Sequence, residues 1–581
     1  MKAIILAAGF GNRMKPLTLT QHKTLLSIGD KTILGRIIDS LLENEINDIV
    51  VATGYLKEDI ETYLKDGYPD TNFIFVHNER YASTNNIYTL SLVLESIEID
   101  TDFLLIESDL IYDSSIITKL VNDPNPTAAV ISSYRNGLDG TVVSINSKSQ
   151  INAVYPPHLQ DVNFDLNSKY KTLNIYKFSQ DYLLNDLKSL LIFYANSIDE
   201  NCYYELIVGL LIYMRKKYIH GLVVSKDLWE EVDDPNDLRI AAFRFDKSKR
   251  LNILNKSFGG FWSYDILDFA FIRNMYFPDE ALLNELKKGM VDCLQNYGSS
   301  QEILNRKMSY AVDLPQDGLV ALNGGTQIYP ILRRWFGDKK VAIPNVTFGE
   351  YTDISGNIVY YSNLNDIDTP SVAGVVIVNP NNPDGSIIRT NDIVQFALEN
   401  SEATIIVDES FIDFSSESSI AHALISKRIK NILIIYSMSK TFGLPGIRLG
   451  YCYTLDSVLH TYIMKELPIW GLNSLGELYL ELILKRKPSL IESFRKTIRD
   501  REFLFTELVN VLGADSVFRS HANFILFKTE SGSDLGNKML NQGIYIKDIS
   551  SKYNDGLDYF RVAVRDPQDN VKLINALKNC F

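Results

Sequence analysis

Short, wholly apolar runs that stop abruptly at polar residues recur along this chain in two separate series. In the first, Ile49-Val50-Val51-Ala52, Phe73-Ile74-Phe75-Val76 and Phe103-Leu104-Leu105-Ile106 are spaced by stretches of helical character. In the second, Gly374-Val375-Val376-Ile377-Val378, Thr404-Ile405-Ile406-Val407 and Asn431-Ile432-Leu433-Ile434-Ile435-Tyr436 keep the same rhythm. Runs apolar on both faces that alternate with helices are strands of largely parallel sheets covered on each side, so the fold class is α/β, twice over. Length agrees, because 581 residues is several times the roughly 100 to 200 residues of one domain. The division is expected between 242 and 243, beside the charged stretch Arg244-Phe245-Asp246-Lys247-Ser248-Lys249-Arg250. In open parallel sheets ligands bind beyond the carboxyl ends of the strands, so the residues just after each run are the ones to examine.

The N-terminus Met1-Lys2-Ala3-Ile4-Ile5-Leu6-Ala7-Ala8-Gly9 superficially suggests a signal peptide, but the apolar run is short, breaks into Gly9-Phe10-Gly11-Asn12-Arg13 and reads better as a first buried strand. Two glycines there let the backbone approach a phosphate chain, and Arg13 supplies a charged fork. Alone this is a tight strand-to-helix turn. Its companions make it a site: Lys23 in Gln21-His22-Lys23-Thr24, Asp109 in Glu107-Ser108-Asp109, and Asp233 in Glu231-Val232-Asp233-Asp234. Asp109 and Asp233 are hard oxygen ligands suited to Mg2+ with positions left for phosphate and water. Lys23 would reach the same phosphates as a mobile point charge, for an in-line attack stabilised electrostatically.

With those residues in order, the first half resembles the sugar-phosphate nucleotidyltransferases, and most of all the phosphocholine cytidylyltransferases, over roughly residues 1 to 240. The resemblance implies a Rossmann-like domain with Leu6, Ala8, Gly9, Gly11, Asn12, Arg13, Lys23, Thr84, Asn85, Asn86 and Asp109 around the nucleotide. The segment Thr84-Asn85-Asn86-Ile87 is of the cytidylyltransferase type, which favours CTP, and Trp229-Glu230-Glu231-Val232-Asp233 is similar to the terminal metal-ligand motif. Lys15-Pro16 and His22 depart from the usual pattern near the phosphate loop. The family's chemistry requires an acceptor with a phosphoryl or phosphonyl oxygen. For its other end, Asp139, Glu200, Tyr203, Tyr204 and Glu205 offer charge and ring faces to a cationic amine; an ordinary tyrosine-rich helix is the plainer reading of the last four.

In the second half, Asn379-Pro380-Asn381-Asn382-Pro383-Asp384-Gly385, Asp408-Glu409-Ser410-Phe411 and Ser437-Met438-Ser439-Lys440 each follow a strand, and Gly446-Ile447-Arg448-Leu449-Gly450 closes the set. Such a series serves pyridoxal phosphate (PLP). Lys440 would hold the cofactor covalently and move a proton. Asp408 would keep the pyridine nitrogen protonated, and Asn382 would bond the phenolic oxygen. Gly325, Thr326, Ser437, Ser439 and Arg448 would hold the phosphate, with Phe348 or Tyr351 stacked on the ring. This half resembles the fold-type I PLP enzymes, the class I/II aminotransferases, and among them histidinol-phosphate aminotransferases and threonine-phosphate decarboxylases. Phe560-Arg561-Val562-Ala563-Val564-Arg565 is similar to the family's substrate-binding segment, which implies Arg561 for a donor carboxylate and Arg565 for a second anion. Phe411 stands where many relatives have tyrosine.

Composition excludes some classes. Lys plus Arg number 58 and Asp plus Glu 72, a net charge of -14, which speaks against a nucleic-acid binder. Four scattered cysteines fit a reducing cytoplasm. The longest later apolar run, Leu206 to Met214, is about half of the roughly 20 residues a membrane span needs. As a pair, the halves are similar to a 2-aminoethylphosphonate cytidylyltransferase joined to a transaminase. That resemblance implies small-molecule partners: CTP, 2-aminoethylphosphonate, phosphonoacetaldehyde and an amino-acid donor, with homodimerisation through the aminotransferase half. Two alternatives stay open. A phospho-amino-acid decarboxylase or histidinol-phosphate-like aminotransferase would serve a phosphocholine or phosphoethanolamine cytidylyltransferase, or one half would be an inactive binding or regulatory domain.

Overall fold

A computed structural model describes residues 1–135, 138–161, 164–214 and 218–581. The chain forms two compact units, Met1–Phe258 and Gly259–Phe581. The expected division at 242/243 falls inside a helix, α1 (Pro235–Phe245), which opens with a capping box between Asp234 and Asp237. The charged stretch is no linker: Arg244 Nε donates to Glu230 Oε2 at 3.0 Å, and Arg250 Nε donates to the Phe243 carbonyl at 2.7 Å. A second helix, α2 (Arg250–Ser257), completes the first unit. The chain then turns through Phe258, Gly259 and Gly260, all at positive φ.

In the first unit, β1 (Lys2–Ala7), β2 (Asp48–Thr53), β3 (Asn72–His77) and β4 (Phe103–Glu107) form the parallel heart of the sheet, in the order β4-β1-β2-β3. β5 (Ala128–Ser133), β6 (Val142–Ile145), β7 (Ile151–Tyr155), β8 (Tyr170–Phe178) and β9 (His220–Val224) extend it; β8 runs antiparallel to β4, and β5 bridges β8 and β9. β1 is buried along its whole length. Ala3, Ile5 and Ala7 enter one apolar layer and Ile4 and Leu6 the other, the period of two that a strand covered on both faces demands. Strand order departs in opposite directions from β1, so the crevice beyond its carboxyl end is a topological switch point.

The second unit is built on β10 (Leu319–Leu322), β11 (Lys340–Pro344), β12 (Asn357–Tyr361), β13 (Gly374–Val378), β14 (Thr404–Asp408), β15 (Ile432–Ser437) and β16 (Gly450–Thr454), ordered β10-β16-β15-β14-β13-β11-β12. β16 runs antiparallel to its two neighbours and the other pairs are parallel. Ile405, Val407, Ile432 and Ile434 point into one layer, and Ile406, Leu433 and Ile435 into the other. A small antiparallel sheet, β17 (Phe524–Thr529), β18 (Lys547–Asp548) and β19 (Asp558–Ala563), lies nearer the C-terminus. Among the described residues no helix is long and apolar enough to cross a membrane, and the four cysteines are free of disulfides.

Candidate active sites

In the first unit, residues far apart in sequence meet beyond β1 and β4. The chain leaves β1 through Gly9 and Gly11, the latter at φ 62 at the mouth of the 3-10 turn Asn12–Met14. A Cβ on Gly11 would stand 3.2 Å from Thr18 Cγ2 and 3.3 Å from Lys23 Cβ, so glycine serves both the backbone angle and the close passage of Lys23. Lys23 Nζ lies 2.8 Å from Asp233 Oδ1 and 3.3 Å from Asp109 Oδ2. Arg13 Nη2 lies 2.6 Å from Asp233 Oδ2, and its Nη1 3.4 Å from Asp139 Oδ2. Burial pushes the Lys23 ammonium towards neutrality, but Asp109 and Asp233 more than offset it and hold its pKa above the ordinary value. Burial likewise opposes the Asp233 carboxylate, and Lys23 and Arg13 hold it below the usual range.

His22, a departure from the expected motif, is buried and positions the lysine. Its side chain accepts from the Thr24 N–H, capping the 3-10 turn Lys23–Leu25, and its Nε2 is 3.2 Å from the Gly9 carbonyl. Burial pushes its pKa down to about 4, so near neutral pH the ring is an uncharged tie between phosphate loop and lysine turn. Asp109 and Asp233 suit Mg2+ as a pair of hard carboxylates converging on one point. Mg2+ takes one or two carboxylates and completes its shell with phosphate and water.

A cavity of about 220 Å3 opens here, walled among others by Leu6, Ala8, Gly9, Gly11, Lys23, Thr84, Asn85, Asn86 and Asp109. Of the expected nucleotide contacts, Asn12 and Arg13 stand on the turn that follows the glycines. Asn85 caps the helix α3 (Asn86–Ser96). Of the residues expected to receive an amine, Tyr203 lines the cavity, Tyr204 and Glu205 are buried, Glu200 is paired with Arg80, and Asp139 pairs with Arg13. The motif reading missed Glu107, on the cavity wall, and the ion pair of Lys171 with Glu231 at 3.3 Å. Asn86 Nδ2 donates to Glu107 at 2.9 Å and to Glu205 at 3.5 Å. Burial raises the pKa values of Glu107, Glu205 and Glu231, the last to about 7, and Asp109 adds to each. The alternation of β8 places Lys171 inward, but nothing in its own sequence marks its partner.

In the second unit, Asp408 ends β14 and is locked from both sides. Tyr351 Oη donates to its Oδ2 at 2.8 Å; the Ser410 hydroxyl and N–H donate to Oδ1 at 2.5 and 3.0 Å. Burial raises its pKa, opposed by those donors and by Lys440. The wholly buried Tyr351 thus serves Asp408, while its ring meets Tyr329 edge-on at 5.2 Å. Of the two aromatics expected against the cofactor ring, Phe348 is half-buried and Tyr351 is wholly buried. Lys440, in the one-turn helix α4 (Met438–Thr441) after β15, is pushed down to a pKa of about 8 by burial and by Arg561 and Arg448. A buried lysine so shifted is a nucleophile near neutral pH.

Arg448, itself left-handed at φ 60, donates to Thr326 Oγ1 at 3.1 Å and Ser439 Oγ at 3.4 Å. A Cβ on Gly324 would stand 2.7 Å from its Nη2, and one on Gly450 would stand 2.9 Å from the Gly325 N–H. This cradle of a guanidinium, hydroxyls and the first N–H of a turn has the donors a phosphate monoester needs. The residues expected around PLP therefore gather at the carboxyl ends of the parallel strands. Arg561 Nη1 donates to Asn382 Oδ1 at 2.7 Å, joining the arginine expected to bind substrate to the residue expected at the ring oxygen. Arg565 behaves differently from expectation: its side chain is bound to Asp569, 2.9 Å away, and to the Asp268 carbonyl at 3.0 Å. Phe411 packs against Phe524, ring centroids 5.1 Å apart, and Arg561 lies over that same ring at 5.5 Å. Phe411 thus backs the ring over which the arginine lies.

Fold and residues together define a nucleotidyltransferase domain followed by a fold-type I aminotransferase domain, and the chain belongs to the family of class I and II aminotransferases, which matches residues 284–577. The nucleotidyl transferase family matches residues 2–138. Along nearly its whole length the chain is similar to the CMP-5'-(3-aminopropyl)phosphonate synthase of Streptomyces rubellomurinus (strain ATCC 31215), at 27% identity over 99% of this chain and 94% of that one. The second unit alone is 27% identical to the histidinol-phosphate aminotransferase of Caldanaerobacter subterraneus subsp. tengcongensis, over 56% of this chain and 98% of the relative. A decarboxylase structure from Sulfurospirillum multivorans shares the fold, with a TM-score of 0.50, 24% identity, and coverage of 59% of this chain and 98% of that one.

Proposed function

We propose that the chain makes and activates an aminoalkylphosphonate. The second unit would aminate a phosphonyl aldehyde such as phosphonoacetaldehyde at the expense of an amino acid. The first would join the resulting 2-aminoethylphosphonate to CMP from CTP, releasing diphosphate. The observation that carries this reading is the presence of both sites, each with its charged residues assembled, in a chain similar end to end to a CMP-aminopropylphosphonate synthase. That relative's name makes the three-carbon homologue the natural competitor for the acceptor.

In the first unit, a phosphonyl oxygen attacks the α-phosphorus of CTP and the bond to diphosphate breaks. Lys23 and Arg13 bring positive charge to the triphosphate, while Asp109 and Asp233 would hold Mg2+, a Lewis acid for such a transfer. In the second unit, Arg448, Thr326, Ser437 and Ser439 would hold the phosphate of PLP, Asp408 its ring nitrogen and Asn382 its phenolic oxygen. Bound PLP supplies an electron sink for the carbon that loses its proton. The Lys440 amine removes and returns that proton, Arg561 fixes the donor carboxylate, and Phe348 covers one face. A homodimer through the second unit and a cytoplasmic setting complete the reading.

The test is mass spectrometry of one reaction holding the chain, PLP, CTP, Mg2+, an amino-acid donor and either phosphonoacetaldehyde or 3-phosphonopropanal. The expected product is the CMP ester of the amine, with the free amine rising first and then declining. Faster consumption of phosphoethanolamine or phosphocholine than of either aminophosphonate would sink the assignment, as would an aldehyde that is never aminated. Replacing CTP by UTP should slow the second step strongly, as the Asn85-Asn86 segment suggests; equal rates would move the first unit to the general sugar-phosphate group.

A further inference from the structure

Lys440 has to take up the cofactor and later move a proton, yet it stands on α4, a single turn of helix. One turn is too short to hold itself together, and the carbonyls at its C-terminal end find no N–H within the helix. The last two are both claimed by one residue from another part of the chain. The Asn274 N–H donates to the Lys440 carbonyl at 2.9 Å, and Asn274 Nδ2 donates to the Thr441 carbonyl at 2.8 Å. The Thr441 hydroxyl lies 2.8 Å from Tyr436 Oη, so the turn is tied by a side chain on one side and by its backbone on the other.

Asn274 is itself firmly held. It is buried, its Nδ2 gives a second hydrogen to Ser493 Oγ at 2.7 Å, and its Oδ1 accepts the Tyr276 N–H at 2.9 Å. Both hydrogens of the amide are in use, and only one orientation of the group fits: turned over, its oxygen would face the Thr441 carbonyl. The chain before it is anchored on the small sheet. Leu267 and Asp268 pair with Ile544 and Tyr545, the Phe269 carbonyl accepts the Ala563 N–H at 2.8 Å, and the Ala270 carbonyl accepts from Arg561 Nη2 at 2.9 Å. The chain after it runs so close to the exit from the lysine turn that a Cβ on Gly443, at φ 71, would stand 1.7 Å from the Phe277 carbonyl oxygen and 2.9 Å from that of Asn274. Residues 267–277 thus form a strap, fastened at one end to β19, the strand of Arg561, and at the other to the turn of Lys440.

We propose that Asn274 is a positioning residue for Lys440, and that the strap to which it belongs sets the place of the lysine turn relative to β19. This rests on the proposed reading of the second unit only for PLP being held at Lys440, whatever the aldehyde. The effect of Asn274 runs through the two carbonyls. The four-carbon stem of the lysine magnifies a small tilt of the turn, and a displacement of about 1 Å at a reacting group costs on the order of a hundredfold in rate.

The test uses the full-length protein, freed of cofactor, and reads the rate of PLP uptake from its visible absorbance, which reports on Lys440 before any turnover. Asn274→Asp keeps the size of the side chain, the backbone N–H to Lys440 and the acceptor for Tyr276, and sets an oxygen against the Thr441 carbonyl. Uptake should slow by about tenfold or more, the worth of one buried bond. In the amination, kcat should fall more than the donor KM rises, because the amine is misplaced while Arg561 stays where it was. Ser493→Ala removes the other partner of the same amide; it should lower Tm as Asn274→Asp does and leave the uptake rate close to the parent's. Amide hydrogen exchange of the parent needs no substitution and so stands even if Asn274→Asp does not fold: on PLP uptake, protection should rise in residues 269–276 together with residues 436–443. Uptake by Asn274→Asp at the parent rate, or equal slowing by Ser493→Ala, overturns the positioning role. So does a strap whose exchange PLP leaves unchanged while that of the lysine turn slows. A parent that takes up no PLP brings down the reading of the second unit and the positioning role with it, whereas the expected uptake and exchange without amination of any aldehyde uphold the role and remove the proposed reaction.

Discussion

Lys440 carries a prediction that depends on its surroundings more than on its identity. Burial, Arg561 and Arg448 depress its pKa from 10.5 to about 8, so the amine is mostly neutral above pH 8 and mostly charged below it. A neutral amine is the form that captures an aldehyde. The rate at which cofactor-free protein takes up PLP, read from its visible absorbance, should therefore climb with pH and level off just above 8. A climb that continued towards 10.5 would show a lysine unaffected by its neighbours. Asp109 and Asp233 carry a second expectation. Asp109→Asn or Asp233→Asn removes one of the two proposed hard ligands and should cut diphosphate release from CTP by about a hundredfold or more, with more Mg2+ needed for what remains. These residues were legible because each follows a strand end in a fixed order. Glu107 and Lys171 were not, since each acquires its meaning from a partner distant in sequence that only the fold brings close. Arg565 had a local signal: Asp569 lies four residues on, one helical turn away, and claims it.

At the scale of elements, turns hold the chemistry as firmly as strands do. The turn after β1 needs Gly11 at φ 62 beside Lys23 and Thr18. Gly11→Ala puts a methyl group where the lysine stem passes and an alanine where the left-handed backbone costs it about 1 kcal/mol or more. The expected result is a several-fold higher KM for CTP with amination untouched; an unchanged KM would mean the loop relaxes freely. Strands and their polar endings were readable from the sequence because β1, β14 and β15 are buried on both faces and cannot be polar until they stop. Where the first unit ends was not readable, because Arg244 and Arg250 resemble a solvated linker in sequence yet bond back to Glu230 and Phe243.

For the whole molecule, each set of reacting groups lies entirely within its own unit. Two crippled chains should then complement each other. Lys440→Ala alone should make the CMP ester only when given the finished amine, and Asp109→Asn alone should stop at the amine. Mixed in equal amounts, they should carry aldehyde through to ester, with the amine passing through solution. Mass spectrometry of the mixture decides; a mixture that makes amine but no ester, although each variant performs its retained step alone, would show that the intermediate must be handed over within one chain. The two-unit plan was visible from the paired series of strands, while the handover is a matter of kinetics that no motif encodes.

The approach of Arg448 to Gly324 has a consequence for how this chain can change over time. The volume a side chain at 324 would fill is already taken by the guanidinium, with 2.7 Å between the virtual Cβ and Nη2. Arg448 is itself a non-glycine residue at positive φ. Gly324 stands at φ 76, where any side chain strains the backbone, so glycine is held at 324 by its own conformation as well as by an arginine from which 123 residues separate it. In a library randomised at both sites and selected for cofactor retention, survivors should keep glycine at 324 whatever stands at 448, so that drift at the second position opens no path at the first.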